Sequence, residues 1–339
     1  MVEGTTTVIS AQPLISTGDG ASNGEFMTSR PLDAPLLERT DPALARPLPS
    51  PLISARSNIL AAGKALLDLA EPSLAGEWKW IGGSEQEVRY GAYRAAETLE
   101  LAESKSRFIL APEETNETQA ARIVGPATAA RWDLHGLLLS VDEESLDAEP
   151  GGEEWSIRLA MGHIISGQRA YGWGTAWWVA NPFETGDPDL PPGIPDEFWA
   201  ALPDEATSEA EGSKDDLRRR LDHVLDLTAE RLAGLADERL QLAARWSGFA
   251  VDVGFRLGRW SSHIREHAIQ IEKTMAMMGV VPDESRRLAR HVLAAYGRAE
   301  ATVFGRRPGA ATHEAATRIA HAAAEAHEAV ASAVEAGRG

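Results

Sequence analysis

From Val253 to Met275 the chain carries Val253, Leu257, Trp260, Ile264, Ile271 and Met275 at spacings that turn one stripe of a helix inward. His263 and His267 lie near that stripe, four residues apart and so one above the other. Any fold for this sequence must therefore place two imidazoles against a helical core, where a polar group needs a partner. A metal ion shared with a histidine from another helix would supply one. A hydrogen-bonded core histidine is the competing reading. Gly279 and Pro282 end the helix.

With nine histidines in 339 residues, an H-x-x-x-H pair alone is weak evidence. The third ligand is expected at His163, on a helix that opens at Trp155 with Ser156 as N-cap. The chain has no cysteine, so histidine and carboxylate are the available metal ligands, and any thiol chemistry needs an external thiol. The other six histidines, His135, His223, His291, His313, His321 and His327, stand at no second ligand spacing and read as structural or exposed.

Length and an apolar content of 43% allow one large or two modest domains. Residues 1–52 are rich in Gly, Ser, Thr and Pro without apolar period and read as a disordered arm. Residues 53–110 read as a helix pair, the second helix starting at a Ser84/Glu87 capping box and running to about Ser104. Gly125-Pro126 punctuates the next helical stretch, with Pro126 as a first-turn residue and Leu134, Leu137, Leu138 and Val141 facing inward. The segment 181–212, rich in Pro, Gly and Asp, is a crossover or lid; Ser213 with Asp216 then caps a helix with Leu217, Leu221, Val224, Thr228, Leu232 and Leu235 at bundle spacing. Residues 283–336 form a helical hairpin, and the two flanking pairs, each too small to bury both faces, are expected to pack as a second bundle.

Taken together, a tryptophan and capping serine before His163, and H-x-x-x-H-x-x-Q-x(8)-G from His263 to Gly279 about 100 residues on, resemble the DinB-like metalloprotein superfamily. The resemblance covers roughly residues 116–279. It implies an all-α fold in which a four-helix bundle over 116–281, with a long crossover between its second and third helices, holds a divalent metal through His163, His263 and His267. Zinc is the first expectation, with nickel, iron or manganese open. Characterised DinB-like enzymes include transferases and isomerases that use mycothiol or bacillithiol, so the resemblance implies a metal-dependent thiol transferase or isomerase acting on an electrophile. Metal-dependent hydrolysis and a non-catalytic metal-binding or ligand-binding role remain open alternatives.

Around the triad, Ala160, Ser166, Gly167 and Ala170 flank His163 with small side chains. Arg256 and Arg259 could receive a carboxylate or phosphate of the thiol or substrate. Glu266 and Gln270 could orient an imidazole, and Glu266 could accept a proton; Glu266 and Arg259 are thus the catalytic candidates, Arg256 and Gln270 the cofactor-binding ones. Tyr171, Trp173, Trp177 and Trp178 could wall an apolar pocket or belong to the core. A net charge of −18 argues against nucleic acid as a partner. The absence of a long apolar run or export-like N-terminus points to a cytoplasmic protein without a membrane partner. A homodimer is left open.

Overall fold

The computed structural model describes residues 44–80, 84–183, 191 and 193–339. Ten α-helices stand among them: α1 Pro51–Leu67, α2 Tyr90–Leu110, α3 Gln119–Leu139, α4 Glu143–Asp147, α5 Ile157–Ala180, α6 Asp196–Ala200, α7 Lys214–Leu232, α8 Val253–Met277, α9 Glu284–Ala301 and α10 Ala310–Arg338. Two antiparallel hairpins join them, β1 Glu77–Lys79 with β2 Glu85–Glu87, and β3 Ala243–Trp246 with β4 Phe249–Asp252. No described helix is long and apolar enough to cross a membrane.

Helices α3, α5, α7 and α8 pack as a ring, α3 against α7 and α8, and α5 against the same two. Their core holds Leu134, Leu138, Ile164, Ile165, Leu221, Val224, Leu257, Trp260 and Ile264. Helices α1, α2, α9 and α10 enclose a second core around Leu52, Ile59, Leu99, Val292, Tyr296, Ile319 and Val330. Helix α3 stands between the cores: Leu134 and Leu138 enter the first, Trp132 the second. It is packed on both sides: 14 of its 21 residues are buried, and its exposed edge is confined to Gln119, Arg122 and Pro126 near its start.

Where the two cores meet lies a buried set of charges. Glu300, fully buried on α9, accepts from Arg131 (2.7 Å) and Arg56 (2.8 Å), and from the hydroxyls of Thr128 (2.5 Å) and Tyr296 (2.7 Å). Asp226 of α7 accepts from Nη1 of Arg131 (2.8 Å) and of Arg56 (2.5 Å), and Arg131 Nε faces Asp222 at 3.5 Å. His135 pairs with Asp222 at 2.8 Å, and burial pushes its pKa down despite that partner. His135 thus has a structural place, two elements away from the histidine triad.

The structure corrects three expectations. Residues 1–43 of the expected arm lie outside the described residues, but its end is not an arm. The Arg46 amide donates to the Glu230 carbonyl (2.7 Å), Leu48 packs on both cores, and α1 begins at Pro51, whose missing N–H costs nothing at a helix start. The Ser84/Glu87 pair caps no helix, since Glu85–Glu87 is a strand paired with Glu77–Lys79, an arrangement that buries Trp78 in the second core. Pro126 lies inside α3, which starts earlier, at a Thr118 cap accepting from the Ala121 amide.

Candidate metal centre

Helix α5 begins at Ser156, whose hydroxyl accepts from the Leu159 amide, and helix α8 begins at Asp252, which accepts from Phe255. These caps, and the packing of α5 on α8, bring His163, His263 and His267 together. One ring nitrogen of each lies within 4.8 Å of the others. The Nε2 atoms of His163 and His263 are 3.4 Å apart. Two imidazole nitrogens bound to a single zinc-like ion at about 2.0–2.1 Å in a tetrahedron stand roughly 3.3 Å apart, so this pair already has the spacing of ligands.

The outward nitrogens of His163 and His267 fit the same reading. His163 Nδ1 lies 2.9 Å from Glu205 Oε1, and His267 Nδ1 2.7 Å from Gln270 Oε1. An oxygen of this kind only accepts, which puts the proton on Nδ1 and leaves the Nε2 lone pair of each ring for a metal. His263 Nδ1 faces the amide of Gln168 at 3.4 Å; that amide also donates to the Trp260 carbonyl (3.1 Å), and its Oε1 is buried without a partner. Burial, then the adjacent His267 and His163 and Arg259, pushes the His263 pKa down to about 2, and burial likewise lowers that of His267. Neutral imidazole is the metal-binding form, so the residues present fit a divalent ion with a preference for nitrogen.

Aromatic rings close the sides. The Trp155 indole lies 5.0 Å from the His163 ring and parallel to that of His267 at 6.5 Å, while Tyr171 meets His263 edge-on at 5.1 Å. His263 is buried; His163 and His267 remain partly exposed, so solvent reaches the cluster from their side. Trp173 and Trp178 are buried in the core rather than lining an opening.

The remaining candidates fall into two groups. Gln270 touches the triad directly, as above. Arg259 and Glu266 bind each other through two hydrogen bonds of 2.8 and 2.7 Å, and Arg259 also rests over the Trp246 ring at 5.2 Å. The paired guanidinium holds the Glu266 carboxyl below its ordinary range. Arg256 is buried with its donors on backbone oxygens, Arg245 at 2.6 Å and Ala170 at 3.4 Å, where burial lowers its pKa to about 10. It ties β3 to α5. Glu205 and Gln168 escape a reading of the sequence: Glu205 lies 42 positions from His163 in a stretch without period, and Gln168 has no spacing that marks it.

Comparison with known proteins agrees with this geometry. A family model described as the DinB superfamily matches residues 127–271. Neither the curated proteins nor the solved structures contain a significant match to the chain. The matched span runs from Ala127 in α3 to Ile271 in α8 and takes in all three histidines, so this part of the chain is similar to the DinB superfamily.

Proposed function

We propose that the triad holds one divalent metal, zinc in the first instance, and that the protein is a transferase or isomerase that activates a low-molecular-weight thiol for attack on an electrophile. The observation that carries this reading is a donor set of three imidazoles with a partly exposed side. A divalent ion in such a set keeps its charge uncompensated and has room for a further ligand, so it lowers the pKa of a thiol or water that joins it.

The chain's own residues do the rest. Glu205 and Gln270 hold the Nδ1 protons of His163 and His267 and so fix which nitrogen faces inward. Trp155 and Tyr171 keep water from the flanks of the rings. Because the chain lacks cysteine, the sulfur must come with the cosubstrate, of the mycothiol or bacillithiol kind. Hydrolysis would use the same ion but asks for a carboxylate free to take a proton from water. Glu205 and Glu266, the carboxylates that act on His267, are engaged with His163 and Arg259, which favours the thiol.

The test is turnover of an electrophilic aromatic halide by untagged, zinc-loaded protein with mycothiol, with bacillithiol and with no thiol. Thiol-dependent turnover lost on chelation is expected. Turnover that proceeds equally without thiol would overturn the transferase reading.

A further inference from the structure

The crossover between α5 and α7 does not end as a loose loop. Asp204 caps a π-helical turn over Glu205–Glu209 by accepting from the Thr207 amide (2.9 Å) and hydroxyl (2.7 Å). Three arginines of the bundle fasten the far end of this turn and the residues beyond it. Arg169 of α5 pairs with the buried Glu209 at 2.5 Å, Arg158 of α5 donates to the carbonyls of Ala210 (3.0 Å) and Gly212 (2.5 Å), and Arg220 of α7 donates to that of Glu209 (2.6 Å). At Gly162 a Cβ would stand 2.8 Å from both the Glu205 carbonyl oxygen and the Ala210 side chain, so the strap lies directly on the α5 backbone one residue from His163.

We infer that Glu205 is a positioning residue for the metal, and that the strap 204–212 and the metal centre are held as one unit through the Glu205–His163 hydrogen bond. This rests on reading the triad as a metal site. The carboxylate accepts from Nδ1, fixes the ring plane and tautomer of His163, and keeps Nε2 directed at its partners 100 residues away. The arginine anchors matter because Glu205 is itself half exposed: an untethered glutamate would lose side-chain entropy on holding the ring, whereas this one is carried on a turn already fixed at both ends. A metal that fixes His163 in turn steadies Glu205 and the strap, since the coupling is reciprocal.

Zinc affinity is measured by competition with a chromophoric chelator for wild type, Glu205→Ala and Glu205→Gln, together with apo-protein melting and amide hydrogen exchange of residues 204–212 with and without zinc. Glu205→Ala is expected to bind zinc about 10- to 100-fold more weakly with an unchanged apo melting temperature. Glu205→Gln, whose amide oxygen still accepts, should recover most of the loss. Zinc should slow exchange in the strap of the wild type and not of Glu205→Ala. Wild-type affinity in Glu205→Ala would overturn this inference alone, and so would equal losses in both variants accompanied by a lower apo melting temperature, which mark a purely structural residue. A wild type that takes up no zinc would overturn the metal site, and this inference with it.

Discussion

The His263 imidazole lies on the bare backbone of Gly167, so close that a Cβ there would overlap ring atom Cε1 and stand 3.0 Å from Nε2. The smallness of residue 167, one turn after His163 on α5, is what lets the α8 ring reach the cluster. Gly167→Ala should therefore displace His263. Chelator competition should show zinc affinity at least about tenfold weaker, and overpacking should cost about 1–3 kcal/mol in urea unfolding of the apo-protein. Unchanged zinc affinity would mean the ring is not held there.

Each ligand should matter on its own. His163→Ala and His267→Ala are expected to lose the metal while far-UV circular dichroism stays helical, because both rings are partly exposed and neither anchors the core. His135→Ala should keep the metal and lose stability, since it removes a buried hydrogen bond to Asp222 and leaves that carboxylate to Arg218 and Arg131.

The ion cluster between the two cores supplies a stability test away from the site. Removing Glu300 leaves Arg56 buried with Asp226, and Arg131 with Asp226 and Asp222, so the two guanidinium groups lose their one fully buried carboxylate and Glu300→Ala should cost about 3–5 kcal/mol in equilibrium unfolding. A cost under about 1 kcal/mol would contradict the burial of that cluster.

The same cluster sets a direction for acid unfolding. Although burial alone would raise it, the Arg56 and Arg131 charges hold the Glu300 carboxyl down at about 2, against an ordinary value of 4.5, and Asp222 is held far below its ordinary value beside His135 and Arg131. A lowered folded-state pKa gives stability that is complete above the unfolded value and lost as pH falls toward the folded one. Urea midpoints should thus lose this contribution steadily below about pH 4.5, beneath an earlier fall that starts below about pH 6.5, where the unfolded chain protonates histidines that burial keeps neutral in the fold, His263, His267 and His135. Glu300→Gln should flatten the lower of the two falls.

Why some of this is legible in sequence and some not comes down to range. The stripe of α8 and its histidines, the Ser156 cap and the Ser213/Asp216 capping box are patterns of three to seven residues, and all appear in the structure. The helical class and the resemblance to the superfamily follow from such patterns. Ser84 and Glu87 show the opposite case, where a correct local signal yields to burial of Trp78. The hairpin β3–β4 leaves too short a pattern to read, being two four-residue strands about a Ser247-Gly248 turn. Glu205 and Glu300 are out of reach altogether: their partners lie 42 and 169 residues away, at His163 and Arg131, and no periodicity records such a pairing.

That hairpin offers a stabilising change. Ser247 has a φ of 51°, the left-handed region, which a residue with a Cβ enters at a cost and glycine does not. Ser247→Gly should raise stability by about 0.5–1 kcal/mol without altering zinc affinity, as read by thermal melting and chelator competition.

X-ray absorption at the metal edge of the zinc-loaded wild type tests the metal centre most directly. A three-histidine site predicts imidazole nitrogens at about 2.0–2.1 Å, with the multiple-scattering pattern of histidine and at least one further light ligand, and loss of that pattern in His263→Ala. Zinc ringed by oxygen alone, or a histidine pattern that survives His263→Ala unchanged, would contradict it.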